Sequence, residues 1–202
     1  VAEEILTKIP EPFDRNALID KIPRPTPVQV VLLQEVERWN NLVNKMSSSL
    51  ADLRRALKGD IGMSSELDEL AFSLYNGILP PFWAPFAPAT KKNLANWLDH
   101  FQRRFDQYST WINKHEEPTV VWLSGLHVPE SYLTAMVQMT CKKYKWPLDR
   151  TTLFTKITTF PDIASVKAKS EDGCYVHGLF MEGASWDARE QTLCKQEPKV
   201  LV

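Results

Sequence analysis

From Pro27 to Lys58 the chain has no glycine and no further proline, and its apolar residues recur in alternating steps of four and three. Leu32, Val36, Trp39, Val43, Met46, Leu50, Leu53 and Leu57 form this stripe, and Leu33 and Leu42 widen it. Such steps place all of them on one helical face. Thr26 is placed to cap the helix, Pro27 fits its first position, and Gln29 stands where a capping box needs Glu or Gln. Gly59 suits the left-handed residue that ends a helix. The spacing predicts a helix of about 32 residues, roughly 48 Å long. The stripe is broader than a coiled-coil seam and only four heptads long, so it reads as the core face of a bundle helix.

The flanking patterns are shorter. Residues 1–26 read as helical pieces broken by prolines, with Pro10, Pro12, Pro23, Pro25 and Pro27 preventing a long regular element, a connector laid over something else. A second helix is expected from Ser64 or Ser65 to Gly77, with Leu67, Leu70, Ala71 and Leu74 inward. Residues 78–90 read as an extended crossing in which Phe82, Trp83 and Phe86 plug gaps between helices, since exposing three large aromatics is costly. A third helix is expected over about Lys91–Asn113, capped by Thr90, with Leu94, Trp97, Leu98, Phe101, Phe105, Tyr108 and Ile112 on one face and Asp99 paired with Arg103. Thr119–Gly125 suits a strand covered on both faces. Pro129 opens another helix with Leu133, Met136, Val137 and Tyr144 inward.

After residue 150 the periodicity turns to β. Strands are expected in TTLFTKITTF (151–160), CYVHGLFMEG (174–183) and Lys199–Val202, with a helical turn near Asp162–Lys167 and a tight turn at Asp172-Gly173. The fold class is therefore α+β, predominantly α: long amphipathic helices packed as a bundle over 27–150, preceded by the connector 1–26. A partial antiparallel β subdomain follows over 151–202. The chain opens inside a helical pattern and ends on an apolar strand pattern, which reads as a piece of a longer polypeptide.

Composition narrows the function. With 24 Lys+Arg against 25 Asp+Glu, the net charge of -1 gives no whole-domain reason to bind nucleic acid or an anionic membrane. No run of 18 apolar residues exists to span a bilayer. Cys141, Cys174 and Cys194 are an odd number at wide spacing, which fits a reducing compartment better than a disulfide framework.

Candidate chemistry fails motif by motif. No GxxxxGK and no GxGxxG occurs, so no nucleotide loop is recognisable. Ser124-Gly125 resembles half of a nucleophile elbow, but Trp122 and Leu126 occupy positions that need small residues. His127 near Ser124 is expected to serve as a structural hydrogen-bonder. Cys174 and His177 are three apart in a strand pattern and point to opposite faces, so they do not chelate one metal. Glu66, Asp68 and Glu69 suit a helix start, and Glu116 and Glu117 a helix end. Lys142–Trp146 is basic with interleaved aromatics, but a nucleic-acid surface needs more such charge on one face, so the run reads as a solvated C-terminal helical turn. No catalytic, cofactor-binding or metal residue is assigned. The residues alone favour an interaction or scaffold role. A stand-alone helical adaptor is the alternative to a segment of a larger machine, and a hydrolase using Ser124 and His127 is a weaker third reading.

Several segments together resemble one family. IPEPFD (9–14), VLLQEVERWNNLV (31–43), SSLADLRRALKGDIGMSSELDEL (48–70), PPFW (80–83), VWLSGLHVPESYLTAMVQ (121–138) and LFMEGASWD (179–187) are similar, in this order, to the C-terminal region of a dynein heavy chain. HVPESYLTA and GLFMEGASWD resemble axonemal heavy chains more than cytoplasmic ones. The resemblance implies a non-catalytic segment that follows the last of six AAA+ modules and braces the motor ring. Residues 1–26 would connect it to that module. ATP and Mg would be held by upstream modules, and the parent would bind microtubules and dynein intermediate and light chains. No nucleic-acid or membrane partner is implied. The implied location is cytoplasmic and cytoskeletal, in the axoneme of cilia or flagella. The implied β subdomain is barrel-like and incomplete at Val202.

Overall fold

The computed structural model describes residues 2–179, 183–187, 189–190 and 192–197. Among them the helices are α1 (Ala2–Lys8), α2 (Arg15–Lys21), α3 (Pro27–Lys58), α4 (Ser65–Tyr75), α5 (Leu94–Lys114) and α6 (Pro129–Tyr144). The strands are β1 (Val120–Trp122), β2 (Tyr175–His177), β3 (Ala184–Asp187) and β4 (Thr192–Lys195). The protein is thus predominantly helical with a minor β component.

Helix α3 is the spine. The Thr26 hydroxyl accepts from the Gln29 N–H at 3.3 Å, and the Gln29 side chain accepts from the Thr26 N–H at 2.9 Å. Gly59 ends the helix at φ 84°, in the left-handed region. Every other helix packs on it: α1, α2, α4, α5 and α6 all contact α3. The connector before α3 is tied down by Asn40, whose side-chain amide exchanges two 2.8 Å hydrogen bonds with the backbone of Phe13. Ile5, Leu18 and Ile22 join the common core.

The stripe on α3 is buried from Leu32 to Leu53 but not at its end. Leu57 is 66% exposed, because the last turn of α3 runs past its neighbours. Helix α4 keeps its expected bounds. Helix α5 begins later than Lys91: Asn93, not Thr90, caps it by accepting from the Asn96 N–H at 3.0 Å. Arg103 does not reach back to Asp99; its guanidinium lies 4.4 Å over the Trp122 ring. In the 78–90 crossing Trp83 is fully buried, its indole N–H donating to the Ser49 hydroxyl at 3.0 Å, while Phe86 stays exposed. On α6 the buried residues are Tyr132, Ala135, Met136 and Cys141, and Tyr144 faces solvent.

The β-rich stretch departs most from expectation. β1 stops at Trp122, where the backbone turns through a short 3-10 segment, Leu123–Gly125. Its partner comes from beyond residue 150: β1 and β2 pair in parallel, with Val120 opposite Tyr175 and Trp122 opposite His177. The antiparallel pairing expected for this region lies at β3–β4, with Ala184 opposite Lys195. Residues 151–160 form no strand, because no neighbour supplies a ladder for their backbone among the described residues. No closed barrel is present among the described residues. The strand expected at Lys199–Val202 lies outside them.

Candidate functional site

Val28, Glu35, Leu42 and Ser49 are successive heptad positions of α3, and all four are buried. Glu35 is therefore a carboxylate placed in an apolar row, with 0% exposure. Such a charge is tolerable only if its oxygens are fully engaged. Oε2 accepts from the Tyr108 hydroxyl at 2.6 Å and from the His127 backbone N–H at 2.6 Å. Oε1 accepts from the Val128 N–H at 3.1 Å, and Arg38 approaches it at 3.5 Å. The His127 ring adds a contact from Nδ1 at 3.2 Å.

These bonds cap a helix from a distance. Val128 is the N-cap of α6 and has no side-chain oxygen to offer. Glu35 accepts from the N–H of that cap residue and of the residue before it, the part a capping-box carboxylate plays, and places a negative charge where the α6 dipole favours one. Burial pushes the Glu35 pKa up, but donors from the His127 ring, the Tyr108 hydroxyl and the His127 N–H outweigh it, so the carboxyl titrates below its usual range. Burial raises Tyr108 well above an ordinary tyrosine, and the Glu35 charge beside it acts the same way. Arg104, 3% exposed on the same face of α5, has its pKa lowered by burial, and Tyr108 and Glu35 act against that. Its Nε and Nη1 have no hydrogen-bond partner among the described residues.

Gln107 builds the neighbouring joint. Its side-chain oxygen accepts from the Trp122 N–H at 2.8 Å, and its amide donates to the Trp122 carbonyl at 3.2 Å. A side chain of α5 thus stands in for a strand along the edge of β1 away from β2. The Trp122 ring lies under Arg103 and meets His100 edge-on at 5.0 Å. Gly125 and Gly178 flank that ring so closely that an added Cβ would lie 2.4 and 2.5 Å from it.

A carboxylate committed on both oxygens and closed to solvent is a structural tie, not a base for an outside substrate. The protein belongs to the family formed by the C-terminal domain of dynein heavy chains.

The family match, to the C-terminal domain of the dynein heavy chain, runs over residues 1–202. The sequence is 54% identical over 202 residues to the Dynein-1-alpha heavy chain, flagellar inner arm I1 complex, of Chlamydomonas reinhardtii, covering 100% of this chain and 4% of that one. It is 52% identical over 203 residues to human Dynein axonemal heavy chain 10, with the same 100% and 4% coverage. The Dynein beta chain, flagellar outer arm, of Chlamydomonas reinhardtii is 37% identical over 205 residues, again covering 100% of this chain and 4% of that one. The chain spans about 4% of the length of these curated relatives. The resemblance carried by residues 48–70 and the WLSG segment, including its axonemal cast, is borne out.

Within this dynein domain the sequence-derived candidates scatter. Ser124 is exposed, with its hydroxyl beside Gly178. His127 turns away from it: Nδ1 faces Glu35 and Tyr108, and Nε2 lies 3.2 Å from the Phe86 carbonyl oxygen. His127 is the structural hydrogen-bonder its position suggested. Cys174 borders a cavity of about 190 Å³ with Met136 and Met139, whereas His177 pairs opposite Trp122. Burial raises the Cys174 pKa, and burial followed by Arg103 lowers that of His177. Glu116 and Glu117 both hold Lys169, at 3.0 and 3.2 Å. In the basic run, Lys143 is bound to Asp172, and Tyr144 and Trp146 stack with centroids 4.9 Å apart. Glu66 and Asp68 fall in the first turn of α4, as a helix start favours.

Sequence reasoning missed Glu35, Arg104 and Gln107. Glu35 left a readable signal, a charge on the heptad line of Val28 and Leu42. Arg104 left a weaker one, since it lies three residues after Phe101 and four before Tyr108 on the apolar face of α5.

Proposed function

We propose that this domain is a non-catalytic C-terminal segment of an axonemal dynein heavy chain. It braces the AAA+ motor ring and helps transmit ATP-driven, minus-end-directed movement along microtubules. The observation that carries the reading is the tie at Glu35, which fixes α3, α5 and the start of α6 to one another through a single buried carboxylate. A brace must move as one body, because a joint that yields absorbs displacement instead of passing it on. A 32-residue spine touching every other helix, with its charge locked inside, meets that requirement.

On this reading ATP and Mg belong to upstream modules of the parent, and so does contact with microtubules and with intermediate and light chains. The domain's own partners are the AAA+ modules of the same polypeptide, and the motor works in the axoneme of cilia or flagella. The relatives named above, flagellar and axonemal heavy chains, support this placement. Among the described residues no helix is long and apolar enough to cross a membrane.

The test is made in the intact heavy chain. Glu35→Ala should leave basal ATP turnover nearly unchanged while microtubule gliding slows severalfold. Unchanged gliding, in a motor whose domain is shown by hydrogen exchange to be loosened, would overturn the bracing role.

A further inference from the structure

Residues 168–174 cross from the exposed, irregular stretch 151–167 back to the helical body and lead into β2. Two lysines pin this crossing, one from each side. Lys169 of the crossing reaches Glu116 at 3.0 Å and Glu117 at 3.2 Å, just after α5. Lys143 of α6 donates to the Glu171 carbonyl at 3.1 Å and to Asp172 at 3.2 Å. Between the pins lies half-buried Ser170, and beyond them Cys174 packs against the core. The crossing borders one side of the half-open cavity of about 190 Å³, whose other lining includes Met136, Met139 and Thr140.

The two ends of the crossing are held differently. On the β2 side Gly178 lies flush against Trp122 with φ 80°, and three residue pairs join β2 to β1. On the other side the hold is electrostatic, and the pin side chains are 20–72% exposed. Exposed ion pairs are weakened by salt, whereas the packed end is not. The part of the crossing that borders the half-open cavity also loses little packing when it lifts.

We propose that residues 168–174 form a charge-latched strap: Lys143 and Lys169 hold it down beside the half-open α6 cavity, and neutralising or screening them lifts it at that end. Lifting exposes half-buried Cys174 and Met139, and buried Met136, further while β2 stays seated on β1. The strap stands apart from the motor reading, since its readout is local.

The test is site-resolved alkylation by iodoacetamide in the intact heavy chain, followed by mass spectrometry. Cys174 is the reporter, and buried Cys141 on α6 is the internal reference. The double variant Lys143→Gln/Lys169→Gln should raise Cys174 labelling severalfold at low salt with Cys141 unchanged. Wild type should approach the variant as sodium chloride is raised, and Lys143→Arg/Lys169→Arg, which keeps both charges, should label like wild type. Equal Cys174 labelling in all three proteins at low salt would overturn the latch. So would a parallel rise at Cys141, which would mean general loosening of α6.

Discussion

The carboxylate of Glu35 closes the amino-terminal end of α6 at Val128, although 93 residues separate the two. Tyr108 of α5 donates to the same carboxylate, so three helices meet at one buried charge. Removing it leaves the His127 and Val128 N–H groups without an acceptor and takes the shortest bond from the Tyr108 hydroxyl, which keeps only His127 Nδ1 at 3.2 Å and the Gly125 carbonyl at 3.5 Å. Glu35→Ala should therefore cost about 3–5 kcal/mol, as breaking buried charged networks does. Glu35→Gln, which keeps one acceptor oxygen, should cost less. Urea unfolding checks this through the midpoint at unchanged slope. A midpoint shift worth under about 1 kcal/mol for the alanine variant would show that the tie is dispensable.

The same cluster sets a pH profile with two arms. Glu35 titrates lower in the fold than when unfolded, so its stabilisation is complete above about pH 4.3 and is lost as pH falls through the folded value. Tyr108 titrates higher in the fold, chiefly through burial, so its stabilisation is complete below about pH 10 and is lost as pH rises. Tyr132, also raised mainly by burial, adds to the alkaline arm. The urea midpoint should fall on both sides of a plateau, and Tyr108→Phe should flatten the alkaline arm without abolishing it. An alkaline arm of unchanged steepness in that variant would assign it elsewhere.

Two leucines on one stripe should behave oppositely. Leu50 is 1% exposed and Leu57 is 66% exposed. Leu50→Asp buries a charge with no partner and should destabilise the domain by several kcal/mol, of order 3 or more. Leu57→Asp should fall within about 0.5 kcal/mol of wild type. Thermal melts of the pair measure this directly, and equal shifts would mean that the last turn of α3 is packed in solution.

Gly178 and Gly62 make a matched pair of another kind. A Cβ on Gly178 meets the Trp122 indole at 2.5 Å with the backbone at φ 80°, whereas one on Gly62 meets nothing within 4 Å. Gly178→Ala should cost about 1–3 kcal/mol by overpacking and speed amide exchange in β1 and β2. Gly62→Ala should be neutral. Unaltered exchange at Val121 and Val176 in the Gly178 variant would show that β2 does not depend on this contact.

Much of the helical scaffold was readable. The caps at Thr26 and Gly59, the limits of α3 and α4, and the inward stripe to Leu53 all follow from rules that act within one or two turns. Errors arose where a second element chose among local options. Asn93 displaced Thr90 as cap once the Leu94 N–H bonded to the Gly77 carbonyl at 2.9 Å. Arg103 left its helical neighbour Asp99 for the face of Trp122. The 151–160 stretch has strand propensity, but a strand needs a partner ladder, and propensity does not provide one.

The sequence by itself determined that these 202 residues fold around a long capped helix, that no familiar nucleotide loop is written in them, and which family they belong to. Those properties are local or cumulative, carried by spacing and by many weak matches in order. Only the tertiary structure decided that Glu35 is the tie, that β1 takes a parallel partner from beyond residue 150, and that Lys169 bridges to Glu116 and Glu117. Each depends on groups 50 or more residues apart meeting within a few ångströms. Hydrogen bonds and ion pairs act only at that range, so nothing in the linear order records them.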